Sequence, residues 1–213
     1  MNRSNADNVI KFFKENLIMV RFSNSHPNVY GMRYELDQPG KYKLVAGTDF
    51  NAYWCPYASD TVNRVTLAGA ADYMFTPTMN GCSFGIGIAA PDGSVRVAHA
   101  NTTEHEALNA IMDETGKMLR PFTRQNETYN NAIMNAQGTK QGATKQALQL
   151  EQLKAGLAEK HDSLSNHISL AAYNGCTGIT TFGLRVDNKW EFWFQGQING
   201  EVCGCFPFPK VNP

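Results

Sequence analysis

The residues that could do chemistry gather in one stretch of the sequence, from Tyr73 to Asn101. Cys82 follows an Asn-Gly pair at the head of an apolar segment, and His99 lies in the next apolar segment. A thiolate is a strong nucleophile, and a neutral imidazole nearby can take the proton of the thiol. These residue types therefore predict covalent catalysis at a carbonyl or amide carbon, provided that the fold brings them together.

Strand geometry decides whether Cys82 and His99 meet. Side chains alternate along a strand, so both residues lie on the apolar faces of a predicted hairpin. A type I turn over residues 90–93 pairs Phe84 with His99 and makes Cys82 a diagonal neighbour of the histidine, with Cα atoms about 7–8 Å apart or less. A bulge at Gly93 would instead place the two on opposite faces.

Two other interpretations stay open from the residues alone. Cys82 could be a small buried hydrophobe and His99 an ordinary hydrogen-bonded histidine, since free cysteine is among the most buried residue types. A second Asn-Gly-Cys also ends at Cys176, with His167 upstream of it. Spacing does not choose between Cys82 and Cys176 as the nucleophile.

The elements that must position these residues follow from periodicity. Residues 18–101 and 171–208 alternate apolar and polar side chains, which predicts strands, whereas residues 102–170 are rich in Ala, Gln, Glu, Lys and Leu, which predicts helices. The order predicts an α+β fold in which a single domain, residues 1–213, contains a largely antiparallel or mixed β-sheet or sandwich with flanking helices.

Local signals refine these elements. Ser4 or Asn5 is expected to cap a short N-terminal amphipathic helix, and a capping box of Thr103 and Glu106 predicts a helix through about Leu119. A second long helix is predicted near residues 144–161, after an Asn- and Gln-rich segment at residues 124–142. Tight turns are predicted at residues 187–188 and 199–200, each between two strands.

Composition narrows the classes of function. Lys plus Arg and Asp plus Glu both number 19, so the net charge is zero and no basic surface for nucleic acid or anionic lipid is predicted. No apolar stretch reaches the about 20 residues of a membrane span. The five cysteines are an odd number without a secretory signal, so we expect free thiols. Cys203 and Cys205 have no partner pair, so no metal site is expected.

The segment FTPTMNGC at residues 75–82, followed by VAHAN at residues 97–101, resembles the active-site signature of the Cys/His glutamine deamidase toxins. This family includes Burkholderia lethal factor and the catalytic domain of the cytotoxic necrotizing factors. Met79 and Asn80 stand where the family has Leu and Ser, and the interval from cysteine to histidine is somewhat longer. The positions that match the family signature are Thr76, Gly81, Cys82 and His99.

The resemblance implies a protein-glutamine deamidase. Cys82 would attack the side-chain amide carbon of a glutamine and form a thioester, with His99 as the base and then the acid. The backbone N–H of Cys82, beside Gly81, would help to stabilise the oxyanion, and Thr76 would hydrogen-bond near the pair. This chemistry requires neither a cofactor nor a metal.

The resemblance also implies a biological setting. We expect a monomeric toxin or effector that leaves the bacterial cytoplasm without a cleaved signal peptide and acts in the host cytosol. Its host substrate would be a translation-initiation helicase or a Rho-type GTPase by analogy with the family, and no nucleic acid or membrane partner is expected. The alternatives are a Cys-His peptidase or amidase, a transglutaminase, or a non-catalytic protein-binding domain using residues 124–142 or the aromatic strand at residues 189–194.

Overall fold

The computed structural model describes residues 1–59, 61–79, 82–87, 89–100, 117–119 and 176–208. These residues form one helix and twelve strands, which makes the fold α+β, as predicted. The elements are α1 (Arg3–Glu15), β1 (Leu17–Val20), β2 (Asn28–Gln38), β3 (Lys41–Ala46), β4 (Phe50–Trp54), β5 (Val62–Leu67), β6 (Tyr73–Phe75), β7 (Ser83–Ile86), β8 (Val95–Ala100), β9 (Lys117–Leu119), β10 (Gly178–Val186), β11 (Lys189–Ile198) and β12 (Glu201–Pro207).

Eight strands form a mixed sheet with the order β1-β3-β2-β4-β6-β10-β11-β12. Most neighbours are antiparallel, but β1 pairs with β3 and β4 pairs with β6 in parallel. At β10 and β11 both faces of this sheet are buried, because β10 directs Phe182 and Leu184 into one core cluster while β11 directs Phe192 and Phe194 into another. Such double burial needs a layer on each side of the sheet.

The helix α1 covers the first face. Phe13 is fully buried, and its ring centroid lies 4.0 Å from that of Phe182. The helix is capped by Asn2, whose side chain accepts a hydrogen bond from the backbone N–H of Asn5 at 2.9 Å. The expected cap at Ser4 or Asn5 was therefore wrong: the helix begins at Arg3, because Asn2 already supplies the acceptor for the first turn.

The second face packs against a four-stranded sheet with the order β5-β8-β7-β9. Phe84, Ile86 and Val97 of the small sheet share one core cluster with Met74 and Phe194 of the large sheet. The described part of the chain is thus layered as helix, eight-stranded sheet and four-stranded sheet. The layering confirms the predicted mixed sheet or sandwich with a flanking helix.

The predicted hairpin turns are present. Asp187 and Asn188 have φ of 47° and 64°, and Asn199 and Gly200 have φ of 50° and 78°. Positive φ at both central residues is the geometry whose twist matches that of antiparallel strands. These turns join β10 to β11 and β11 to β12.

One predicted element is wrong where the structure describes it. Lys117–Leu119, assigned to the end of a helix, forms β9 and pairs antiparallel with Phe84–Ile86. Lysine, methionine and leucine all favour helices, but the strand pairing offered by the edge of β7 overrides this local preference. The rest of that helix, the second long helix and the Asn- and Gln-rich segment lie outside the described residues. No helix in the described ranges is long and apolar enough to cross a membrane.

Candidate active site

The hairpin of β7 and β8 has the predicted register. Phe84 is paired with His99, and Ser83 with Ala100. Cys82 immediately precedes β7 and lies in the same core cluster as Phe84. Phe84, two residues after Cys82, lies opposite His99, so Cys82 stands at the end of the strand that pairs with the strand of the histidine. Asn101 lies outside the described residues.

The turn of this hairpin contains the bulge considered above, yet the faces are not exchanged. Gly93 has a φ of 80°, and its N–H donates to the carbonyl oxygen of Ala90 at 2.8 Å while the N–H of Ala90 donates to Ser94 at 2.8 Å. The N–H of Gly87 donates to Arg96 at 2.7 Å. One side of the hairpin therefore has three residue steps, from Gly87 to Ala90, where the other side has two, from Ser94 to Arg96. The one extra residue on the first side offsets the bulge at Gly93 on the second side.

Thr76 reaches the histidine from the large sheet. Because β4 and β6 are parallel neighbours, Cys55 and Thr76 leave the sheet together at the carboxyl ends of these strands. The Thr76 hydroxyl donates its proton to the carbonyl oxygen of Cys55 at 2.8 Å, and its oxygen lies 2.5 Å from Nδ1 of His99. Thr76 therefore contacts His99, one member of the expected pair.

This pair of contacts fixes the tautomer of His99. A hydroxyl has one proton, and a carbonyl oxygen can only accept, so the Thr76 proton is committed to Cys55. Nδ1 of His99 must then donate to the Thr76 oxygen. In a neutral imidazole with a proton on Nδ1, Nε2 carries the lone pair. The atom of His99 left to act as a base is therefore Nε2.

Burial keeps His99 neutral. Its side chain is 1% exposed, and desolvation lowers its pKa from 6.5 to about 4. The ring of Tyr57 packs edge-on against the imidazole, with centroids 5.7 Å apart. Nε2 is buried and has no hydrogen-bond partner among the described residues. Near neutral pH, His99 is therefore an uncharged base with its lone pair available.

Cys82 is also largely shielded from solvent. It is 8% exposed, and burial raises the pKa of its thiol above the ordinary 9.0. The resting site therefore holds a neutral thiol and a neutral imidazole rather than a preformed ion pair. The proton of Cys82 would move to Nε2 only as the sulfur attacks a substrate.

The rival cysteine has a different neighbour. Cys176 precedes β10 and lies over Gly196, where an added Cβ would come within 2.8 Å of its sulfur. A hydrogen bond with Cys203 is the main reason that the pKa of Cys176 is raised well above its usual value, and burial adds to it. A thiol held protonated by another thiol is a poor nucleophile. His167, its proposed base, lies outside the described residues, as does the predicted oxyanion residue Gly81.

Asn63 is a polar residue at the site that the sequence reasoning missed. It is paired directly with His99 across β5 and β8, and its Nδ2 is buried without a hydrogen-bond partner among the described residues. The signal was present in the strand VNRVTL, because Val65 and Leu67 face the core and alternation puts Asn63 on the same face. A polar residue at a core-facing position marks a candidate functional site.

Comparison with known proteins adds no assignment. No model of a known protein family matches the chain, and no curated protein matches it significantly. Within the described ranges, no group of three or more His, Cys, Asp or Glu side chains is arranged to hold a metal ion.

Proposed function

We propose that this chain is a protein-glutamine deamidase in which Cys82 is the nucleophile and His99 the general base. The observation that carries the proposal is the contact of Thr76 with Nδ1 of His99, because it leaves the lone pair on a buried Nε2. The strand of His99 pairs with the strand that Cys82 precedes. A histidine with a merely structural role would be expected to have both ring nitrogens satisfied.

The reaction follows from these atoms. Nε2 takes the proton of Cys82 as the sulfur adds to the side-chain amide carbon of a glutamine, and the carbonyl oxygen becomes an oxyanion. The C–N bond then breaks while Nε2 returns the proton to the leaving nitrogen, so that ammonia and a thioester form. Attack of water on the thioester, with Nε2 again as the base, gives glutamate and the free thiol.

The low pKa of His99 assists the return of the proton to the departing nitrogen. An imidazolium ion in this desolvated position is a strong acid, since its pKa is about 4. It therefore gives up its proton readily to the departing nitrogen, which must leave as ammonia rather than as an amide ion. Thr76 acts as a positioning residue that holds the ring in the productive tautomer.

The resemblance to the deamidase toxins supports the same chemistry and suggests its setting. A toxin or effector of this class would act on a host protein, either a translation-initiation helicase or a Rho-type GTPase. The backbone N–H of Cys82 would bind the oxyanion. Transfer to an amine instead of water would make the same site a transglutaminase.

The test is incubation of a eukaryotic lysate with the wild-type chain, followed by isoelectric focusing and intact-mass analysis. A target protein should become more acidic and gain about one dalton per modified glutamine without fragmentation, since glutamate ionises near pKa 4.3. Cys82→Ser should abolish the change, while Cys176→Ser, the matched control, should retain it. Fragments that depend on Cys82 would instead identify a peptidase. A Cys82-independent shift, or no shift at all, would contradict the proposal.

A further inference from the structure

Two directly paired residues of the small sheet each have a buried polar atom without a partner among the described residues. Nε2 of His99 and Nδ2 of Asn63 have no hydrogen-bond partner among the described residues, and their residues are directly paired across β5 and β8. Directly paired residues of antiparallel strands have Cβ atoms about 4.5–5.5 Å apart on the same face. Because the two residues share one face and neither atom has a partner, we treat them as one candidate site.

The two atoms have opposite hydrogen-bonding character. Nδ2 of Asn63 is a donor only, and Nε2 of His99 is an acceptor in the tautomer fixed by Thr76. Although His99 is 1% exposed, two of its neighbours reach solvent, since Tyr57 is 47% exposed and Asn63 is partly exposed. Both atoms are themselves buried, so a small polar group would reach them only past these two residues.

We propose that Asn63 is a substrate-binding residue that selects a primary carboxamide. The proposal rests on the deamidase function above and names how that site recognises its substrate. The carboxamide oxygen would accept a hydrogen bond from Nδ2 of Asn63, and the carboxamide nitrogen would lie beside Nε2 of His99. The glutamine side chain would thus present its oxygen to the donor Nδ2 of Asn63 and its N–H to the acceptor Nε2 of His99.

This orientation places each reacting atom on the group that it needs. As the sulfur of Cys82 adds to the carbon, the oxygen gains negative charge and its hydrogen bond from Asn63 strengthens. Nε2 has one lone pair, so it gives up its hydrogen bond from the carboxamide N–H as it takes the proton of Cys82. The nitrogen of the tetrahedral adduct then accepts that proton from Nε2 and departs as ammonia. The product carboxylate has no proton to offer the lone pair of Nε2, so the site favours the amide over the acid and releases its product.

Alkylation of Cys82 tests the inference without knowledge of the protein target. Iodoacetamide carries a primary carboxamide, whereas methyl methanethiosulfonate modifies thiols without one. Asn63→Ala should slow the reaction of Cys82 with iodoacetamide about tenfold, the effect of one lost hydrogen bond, and leave the reaction with methyl methanethiosulfonate unchanged. Asn63→Asp, which keeps the size but removes the donor, should show the same selective loss. Rates are followed by mass spectrometry of the Cys82 peptide.

Asn51→Ala is the matched control, because Asn51 is an exposed strand asparagine on the large sheet. It should leave both rates at their wild-type values. Equal changes with both reagents, or an Asn63→Asp variant that retains the wild-type ratio, would overturn the assignment of Asn63 while leaving the deamidase proposal standing. Failure of wild-type Cys82 to react with either reagent would overturn both.

Discussion

Acid should destabilise the native protein through His99. Desolvation lowers the pKa of this residue from 6.5 to about 4, so between these pH values the unfolded chain binds a proton that the native protein excludes. The contribution of His99 to the free energy of unfolding is therefore fully present above pH 6.5 and is lost as the pH falls towards about 4. A pKa difference of one unit corresponds to about 1.4 kcal/mol, so the difference for His99 corresponds to about 3 kcal/mol.

The measurement is the free energy of urea unfolding at several pH values, followed by tryptophan fluorescence. Carboxylates also titrate in this range, but they do so in every variant. Wild type should therefore lose about 3 kcal/mol more than His99→Gln between pH 7 and about pH 4. His26→Gln, which removes an exposed histidine, is the control and should follow wild type. An equal loss in His99→Gln and wild type would refute the argument that His99 is buried in its neutral form.

Two further predictions concern the same site. Thr76→Val should lower kcat about a hundredfold and the free energy of unfolding by about 1–3 kcal/mol, because it removes the group that orients the imidazole and leaves buried polar atoms unpaired. Thr76→Ser, which keeps the hydroxyl, should retain both values. Val and Ser variants that cannot be distinguished would contradict the role of the hydroxyl. Limiting iodoacetamide near neutral pH should label Cys82 before Cys55 and Cys205, whose pKa values burial raises to about 12. Peptide mass spectrometry would contradict this order if Cys55 were labelled first.

Local patterns in the sequence predict much of the fold. Alternation and turn residues are sufficient for the hairpins of β10 to β12, because a tight turn fixes the register of its strands. The predicted pairing of Phe84 with His99 is also present, but only because the bulge at Gly93 is offset on the opposite strand. The order of the eight strands and the parallel pairing of β4 with β6 depend on contacts between distant segments, which no local pattern encodes. Lys117–Leu119 became a strand for the same reason, since its partner β7 lies far away in the sequence.

Sequence patterns predict the hairpin residues of the candidate site but not the residues that surround them. Cys82 and His99 follow from strand alternation, and Thr76 was identified by resemblance to a known motif. The acceptor of the Thr76 proton, the carbonyl oxygen of Cys55, could not be identified from residue types because every residue has such a group. Asn63 was missed because its strand was recognised by its apolar residues. The signal for the site was Asn63 itself, a polar residue at a core-facing position of that strand.

The candidate site joins two layers that have no strand pairing between them in the described sheets. Thr76 and Cys55 follow strands of the large sheet, whereas His99 and Asn63 belong to the small one. Each sheet can form its own backbone hydrogen bonds during folding before the layers dock through their shared side-chain core. The imidazole meets Thr76 only on docking, so a chain with complete strands but loosened layers does not fix the tautomer of His99. We therefore expect the contact of Thr76 with His99 to form late in folding and to be among the first that moderate denaturant removes.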